Sequence, residues 1–242
     1  MINPLKITVL YDNSSSQAGF VPAWGFACLI QGMADTILFD TGRDSSILLA
    51  NMAKAGIRPE EVQVVVLSHE HEDHVDGLSG VLARQHDLTV YLPHAFPPWL
   101  KARVTSLGIP VVEVREPMKI CYHVYSSGEL GHYVKEQALL LQTERGVIII
   151  TGCGHPGVVN IIHKAKDLLN ADILLVMGGF HAGGESEGSI EDIVSDFKEL
   201  GVRYVGPCHC SIGAERQIFE KEYRQHCLPV GAGTVITLND LP

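Results

Sequence analysis

Between positions 69 and 74 the chain concentrates three imidazoles and a carboxylate in His69-Glu70-His71-Glu72-Asp73-His74. Imidazoles two residues apart in extended backbone can converge on one ion, while the adjacent Asp73 and His74 can turn toward a second. Mixed nitrogen and carboxylate ligands suit zinc first, with iron or manganese as alternatives, better than magnesium or calcium. A pair of such ions binds a bridging hydroxide, lowers its pKa, polarises a substrate oxygen and stabilises a charged leaving group. The bland alternative is a solvated acidic loop with surface histidines. So dense a run of ligating side chains argues against it.

A site for two ions needs ligands from elsewhere in the chain. His155 and His209 are expected to supply them, each following an apolar strand and a glycine or proline turn. His132, after Gly131, competes with His155 as third ligand of the first ion. Cys153 reads two ways, as a thiolate that ligates or bridges and as a buried, inert thiol. His181, after Gly178-Gly179-Phe180, suits a proton donor or a substrate contact, and it joins Asp73 as an expected catalytic residue. Asp40, in Leu38-Phe39-Asp40-Thr41-Gly42, is expected to hold a ligand histidine from behind by a hydrogen bond; its alternative is an ordinary turn cap. Gly154, Gly157 and Gly179 are candidate substrate contacts, since Gly154-His155-Pro156-Gly157 opens a helix whose free N–H groups suit a phosphate or another anion. Cys208 and Cys210, one residue apart with no partner pair, do not have zinc-finger spacing and read as packing residues. Gly231-Ala232-Gly233-Thr234 lacks the lysine of a phosphate-binding loop and reads as a turn into the last strand.

The elements that must position these residues alternate short β-branched runs with amphipathic stretches, which predicts strands and helices packed in layers. Residues 7–10, 26–30 and 36–39 read as antiparallel strands, and 45–55 as a helix closed by Gly56. The strand over 62–67 delivers the chain into the histidine run, and a helix over 78–84 follows. Strand 89–92 leads to a proline-rich segment, 93–99, that reads as a loop or helix start. In the second half, strand 138–141 and strand 147–150 precede helix 158–169, strand 173–177, helix 190–200 and strand 204–205. Most of these strands end at a segment bearing histidine, so strands sharing one direction would gather those segments along one edge.

The chain has 242 residues, 46% hydrophobic and 19% charged, with a formal net charge of −10. That length supports one domain, 1–242, with a substantial core. No lysine or arginine cluster offers a track for a phosphate backbone, so a small molecule, possibly phosphorylated, is the expected partner rather than nucleic acid. Apolar runs are too short to span a bilayer, and Met1–Lys6 lacks the features of a secretory signal. With six cysteines in no framework spacing, a reduced cytoplasmic protein is expected.

Leu38-Phe39-Asp40-Thr41-Gly42 followed by Ser68-His69-Glu70-His71-Glu72-Asp73-His74 resembles the metallo-β-lactamase superfamily. The resemblance implies an α/β protein, a four-layer αββα sandwich with two metals at one edge, and it extends over nearly the whole chain. Leu10-Tyr11-Asp12-Asn13, Glu136-Gln137-Ala138-Leu139, Thr151-Gly152-Cys153-Gly154-His155-Pro156-Gly157, Gly178-Gly179-Phe180-His181 and His209-Cys210 are similar to the branch that includes an archaeal synthase of methanopterin biosynthesis, which joins a dihydropterin to a ribosyl-aminobenzene phosphate. In that branch Cys153 occupies the place of the bridging aspartate of most superfamily members. The expected function is metal-dependent hydrolysis of a small phosphorylated or ester-like substrate. Its alternatives are a synthase-type transfer releasing pyrophosphate, and a metal- or ligand-binding protein with little catalysis.

Overall fold

The computed structural model describes residues 4–182 and 186–242. The opening residues 1–3, part of the segment inspected for a signal, lie outside the described residues. Two sheets face each other, and helices cover both outer faces. In the first sheet β1 (Lys6–Tyr11), β2 (Ala27–Gln31) and β3 (Ile37–Phe39) form an antiparallel meander. After α1 (Ser45–Lys54), β4 (Val64–Val66) pairs parallel to β3. Short helices α2 (Glu72–Val75) and α3 (Leu78–Leu82), then β5 (Thr89–Pro93), α4 (Pro98–Thr105) and β6 (Val111–Val114), extend it with parallel pairing.

The second sheet starts antiparallel with β7 (Met118–Cys121), β8 (Val124–Ser126), β9 (Leu139–Thr143) and β10 (Gly146–Ile150). It continues parallel through α5 (Val158–Leu169), β11 (Ile173–Gly178), α6 (Glu187–Glu199) and β12 (Tyr204–Pro207). After α7 (Ala214–Tyr223) the chain returns to the first sheet, where β13 (Val235–Thr237) pairs antiparallel to β1. The strand orders are β13-β1-β2-β3-β4-β5-β6 and β12-β11-β10-β9-β8-β7.

The period-2 alternation of strand side chains accounts for the layers. Ile37, Phe39, Val64 and Val66 point between the sheets, where they meet Leu139, Leu141, Ile148 and Ile150. The intervening Leu38 and Val65 point out against Leu48, Met52 and Val81 of the helices. On the other side Leu140, Val147 and Ile149 pack with Ile161, Ile162, Ala165 and Phe197. Sheets buried on both faces need nearly continuous apolar strands, and Val64–Val66 and Ile173–Gly178 have them.

This is the αββα architecture expected from the sequence. The anticipated antiparallel start, α1 and its closure at Gly56, and α5 over 158–169 all recur. Five elements went unread, namely α2, β6, β7, β8 and α7. The proline-rich segment 93–99 divides between the end of β5 and the start of α4. Because β10, β11 and β12 run parallel, the loops after them open on the same edge as the loop after β4.

Candidate metal centre

The histidine run begins where buried β4 ends. Ser68 and His69 are still buried, and His71 precedes the short helix α2, on whose first turns Asp73 and His74 lie. His69 Nε2 and His155 Nε2 stand 3.0 and 3.3 Å from His71 Nδ1. A second set forms beside it. His74 Nε2 and His209 Nε2 are 3.1 Å apart, and Asp73 Oδ2 lies 3.7 and 3.4 Å from them. Cys153 Sγ is 3.3 Å from His74 Nε2 and also groups within 4.8 Å of donors on His69 and His155, so it stands between the two sets.

The proton inventory shows what these sets are suited to hold. Asp40, wholly buried, accepts at Oδ1 from Ser68 N (2.7 Å) and at Oδ2 from Ser68 Oγ (2.7 Å) and His74 Nδ1 (2.7 Å). Ser68 Oγ in turn accepts from His69 Nδ1 at 2.8 Å. One carboxylate thus assigns the tautomers of two imidazoles and leaves both Nε2 atoms with bare lone pairs. His209 Nδ1 donates to Asn13 Oδ1 at 3.3 Å, while Asn13 Nδ2 donates to the His209 carbonyl at 2.8 Å and Asp12 Oδ1 accepts from His209 N at 2.7 Å. The Nε2 atoms of His74 and His209 therefore meet lone pair to lone pair. A cation between them turns that repulsion into binding. Nitrogens held at the usual zinc distance in a tetrahedron are about 3.3 Å apart, close to the separations here, so these residues fit divalent transition metals.

Electrostatics agrees. Burial, with the neighbouring imidazoles, depresses His69 well below the usual histidine range, His155 to about 3 and His209 to about 2. They are neutral at physiological pH, as metal ligation requires. Burial alone would also depress His74, but the charge and hydrogen bond of Asp40, with Asp73 behind, reverse the shift and raise it.

The loop after β10 is shaped by a residue that pattern reading did not single out as part of the site. Glu136 is completely buried; its Oε1 accepts from the backbone N–H groups of Gly152 (3.0 Å), Cys153 (3.1 Å) and Gly154 (2.9 Å), and its Oε2 from His155 (2.9 Å). Burial pushes its carboxyl up to about 6 against the pull of those bonds. Gln137 beside it donates to the Leu67 carbonyl at 2.9 Å, tying this strand to the end of β4. Neither role has a local sequence signal, since every partner is distant in the chain. The contacts of Asp12 and Asn13 with His209 were equally hidden, although both residues lie in a segment that carries the family resemblance.

His181 is exposed at the mouth of the site, with its ring centroid 4.2 Å from that of His155. A hydrogen bond with Cys210 raises its pKa. His132 is exposed and belongs to none of the donor groups among the described residues, whereas His155 does. Cys208 is buried in the inter-sheet core, as expected of a packing residue, but Cys210 is not one, because it faces Cys153 and His181. Its thiol is pulled down to about 5 by the hydrogen bonds from Cys153 and His181, while Cys153 is pushed up. Gly154 (φ +80°) and Gly179 pack against one another, for a Cβ on Gly154 would lie 2.8 Å from the Gly179 carbonyl. Their missing side chains are accounted for by that approach of two loops. Gly157 (φ +86°) heads α5 at the rim of a groove lined by His155, Val158, Phe180, His181 and Ser189. Trp24 is half exposed, its ring 5.4 Å from that of His209. Gly25 (φ +139°) is required there because a Cβ would come 2.4 Å from the Asp73 carbonyl.

Residues 25–209, which hold both donor sets, match the model of the metallo-beta-lactamase superfamily, and the chain belongs to that family. Among individual relatives, it is 26% identical to the 7,8-dihydropterin-6-methyl-4-(beta-D-ribofuranosyl)-aminobenzene-5'-phosphate synthase of Methanocaldococcus jannaschii, with 94% of this chain and 95% of that protein covered. Tm1679, described as a metal-dependent hydrolase of the beta-lactamase superfamily, is 30% identical in sequence; it superimposes with a TM-score of 0.81 over 96% of this chain and 98% of that one. The metallo-beta-lactamase fold protein YhfI of Bacillus subtilis shares the fold at a TM-score of 0.71 with 16% identity, covering 97% of this chain and 100% of that one.

Proposed function

We propose that this protein is a metal-dependent hydrolase, a single domain over 1–242, that cleaves a small phosphorylated or ester-like substrate with two divalent transition-metal ions, zinc by preference. The observation that carries the reading is the pair of converging donor sets, with ring nitrogens about 3 Å apart in each and Cys153 between them. His69, His71 and His155 would hold one ion, and Asp73, His74 and His209 the other. When bound, the ions supply a water ionised near neutral pH and polarise the substrate oxygen. The chain does the rest. Asp40 and Asn13 keep the ligand lone pairs aimed inward, and Asp73 orients the attacking water from the edge of the second set. His181, at the mouth, delivers a proton to the leaving group. Gly154, Gly157 and Gly179 keep the backbone beside the groove open to the substrate, and the N–H groups at the head of α5 favour an anionic group there.

Metal content tests this reading. Protein purified without added metal is expected to carry close to two transition-metal ions per chain, and a His71→Ala/His209→Ala double variant to lose them. No bound ion, even after reconstitution with zinc, iron or manganese, overturns it. A phosphate, thioester and lactone panel then identifies the hydrolytic substrate. Likeness to the synthase over nearly its full length favours a second reading, transfer with release of pyrophosphate. Pyrophosphate appearing only when both a pterin donor and an aromatic acceptor are present would select it over hydrolysis. Full metal occupancy with no turnover on either assay would instead leave a metal-binding protein with little catalysis.

A further inference from the structure

One group of ligating side chains reaches beyond the two donor sets and shares only Cys153 with them. Sγ of Cys153, Sγ of Cys210 and a ring nitrogen of His181 lie within 4.8 Å of one another. Cys210 is half-buried and His181 exposed, so the group faces the mouth of the site. It is built in, for Gly179 leaves the space that the Cys210 thiol fills, and a Cβ there would stand 2.5 Å from that sulfur. A second observation points to a missing cation. Glu215, on the first turn of α7, is buried within electrostatic reach of both Cys210 and His181. Its Oε1 accepts from Ser211 Oγ at 2.8 Å, but its Oε2 is buried with no hydrogen-bond partner among the described residues. A buried carboxyl oxygen without a hydrogen bond, close to the Cys210 thiol, is a polar group left uncompensated.

We propose that Cys153, His181 and Cys210 form a third metal position that takes a thiophilic ion such as zinc or cadmium, with Cys153 shared between this ion and the dinuclear pair. Two sulfurs and an imidazole are the donor set of a soft or borderline ion. Ligands bound through sulfur at the usual distance stand about 3.7 Å apart in a tetrahedron, so side-chain rotation closes the remaining gap. The fourth coordination position opens to solvent beside His181, and Glu215 balances the charge from behind. Because the ion takes the lone pair of His181, its occupancy and proton delivery by His181 exclude each other. The third position is therefore inhibitory. This inference rests on the two-metal reading above, and its test separates the two.

Full-length protein stripped by chelation is titrated with cadmium, following bound metal and the thiolate-to-cadmium absorption in the ultraviolet. Wild type is expected to bind three equivalents, with absorption still rising through the third. Cys210→Ser should stop at two, His181→Ala should weaken the third by at least about tenfold, and Cys227→Ser, a thiol away from the site, should retain all three. Far-ultraviolet circular dichroism checks that each variant is folded; if Cys210→Ser does not fold, His181→Ala decides. Wild type saturating at two equivalents overturns the third position and leaves the dinuclear reading intact. No binding overturns both. Three equivalents persisting in the folded variants also overturn the assignment to these residues.

Discussion

Asp40 reaches both donor sets from behind, accepting from His74 directly and from Ser68, which in turn meets His69. Its φ of +55° is a conformation that L residues seldom adopt, and it turns the carboxylate back to reach Ser68 and His74 together. Asp40→Ala is expected to leave both tautomers unassigned and weaken metal binding by about 10–100-fold, measured by competition with a chromophoric chelator. Glu215 supports a different test, on the metal-free protein. Burial raises its carboxyl from 4.5 to about 7, so the folded state favours the protonated form. Its contribution to stability is fully present below pH 4.5 and is lost as the pH rises toward 7. Over that window denaturant unfolding should show wild type losing roughly 3 kcal/mol relative to Glu215→Gln, at most, by the usual conversion of a pKa shift. Parallel pH profiles for the two proteins would contradict the shift.

At the scale of elements, the site depends on strands that end together and on helices that start where they should. Asp44 caps α1, accepting from Ser46 N at 2.7 Å and Ile47 N at 3.1 Å. Asp44→Ala is expected to cost about 1 kcal/mol of stability while leaving metal content unchanged, because α1 covers the outer face of the first sheet away from the donor sets. Urea unfolding and elemental analysis of the same sample check both parts. Most strands that sequence reading found, such as Val64–Val66 and Ile173–Gly178, are buried on both faces and have nearly continuous apolar runs. Those it missed have weaker signals. β7 is only partly buried, and its four residues include an exposed lysine. In α7 few side chains are buried, among them Glu215, which reads locally as a surface residue.

For the whole molecule, the inter-sheet core is what holds the two halves of the site at fixed separation. His69, His71, Asp73 and His74 follow the first sheet, whereas His155, Cys153 and His209 follow the second. Leu141, wholly buried between the sheets and away from the metal edge, is a probe of that core. Leu141→Ala is expected to destabilise the fold by about 2–5 kcal/mol, seen as a lower Tm, with metal content per folded chain retained. Loss of metal at full stability would place the coupling elsewhere. No helix among the described residues is long and apolar enough to cross a membrane, in keeping with the short apolar runs.

The sequence by itself determined the layered α/β class, the run of candidate ligands at 69–74 and the histidine-bearing strand ends, because periodicity and ligand spacing are local properties that survive in one dimension. It left open whether His132 or His155 completes the first donor set and whether Cys153 is inert. Only the tertiary structure brought His155 and Cys153 to the run and left His132 on the surface. It also brought out Glu136 and Asp12, buried polar groups with partners far off in the chain, and Glu215, buried beside Cys210 and His181. Such groups are defined by what they satisfy or leave unsatisfied, and that is decided by which backbone and side-chain atoms the fold encloses with them.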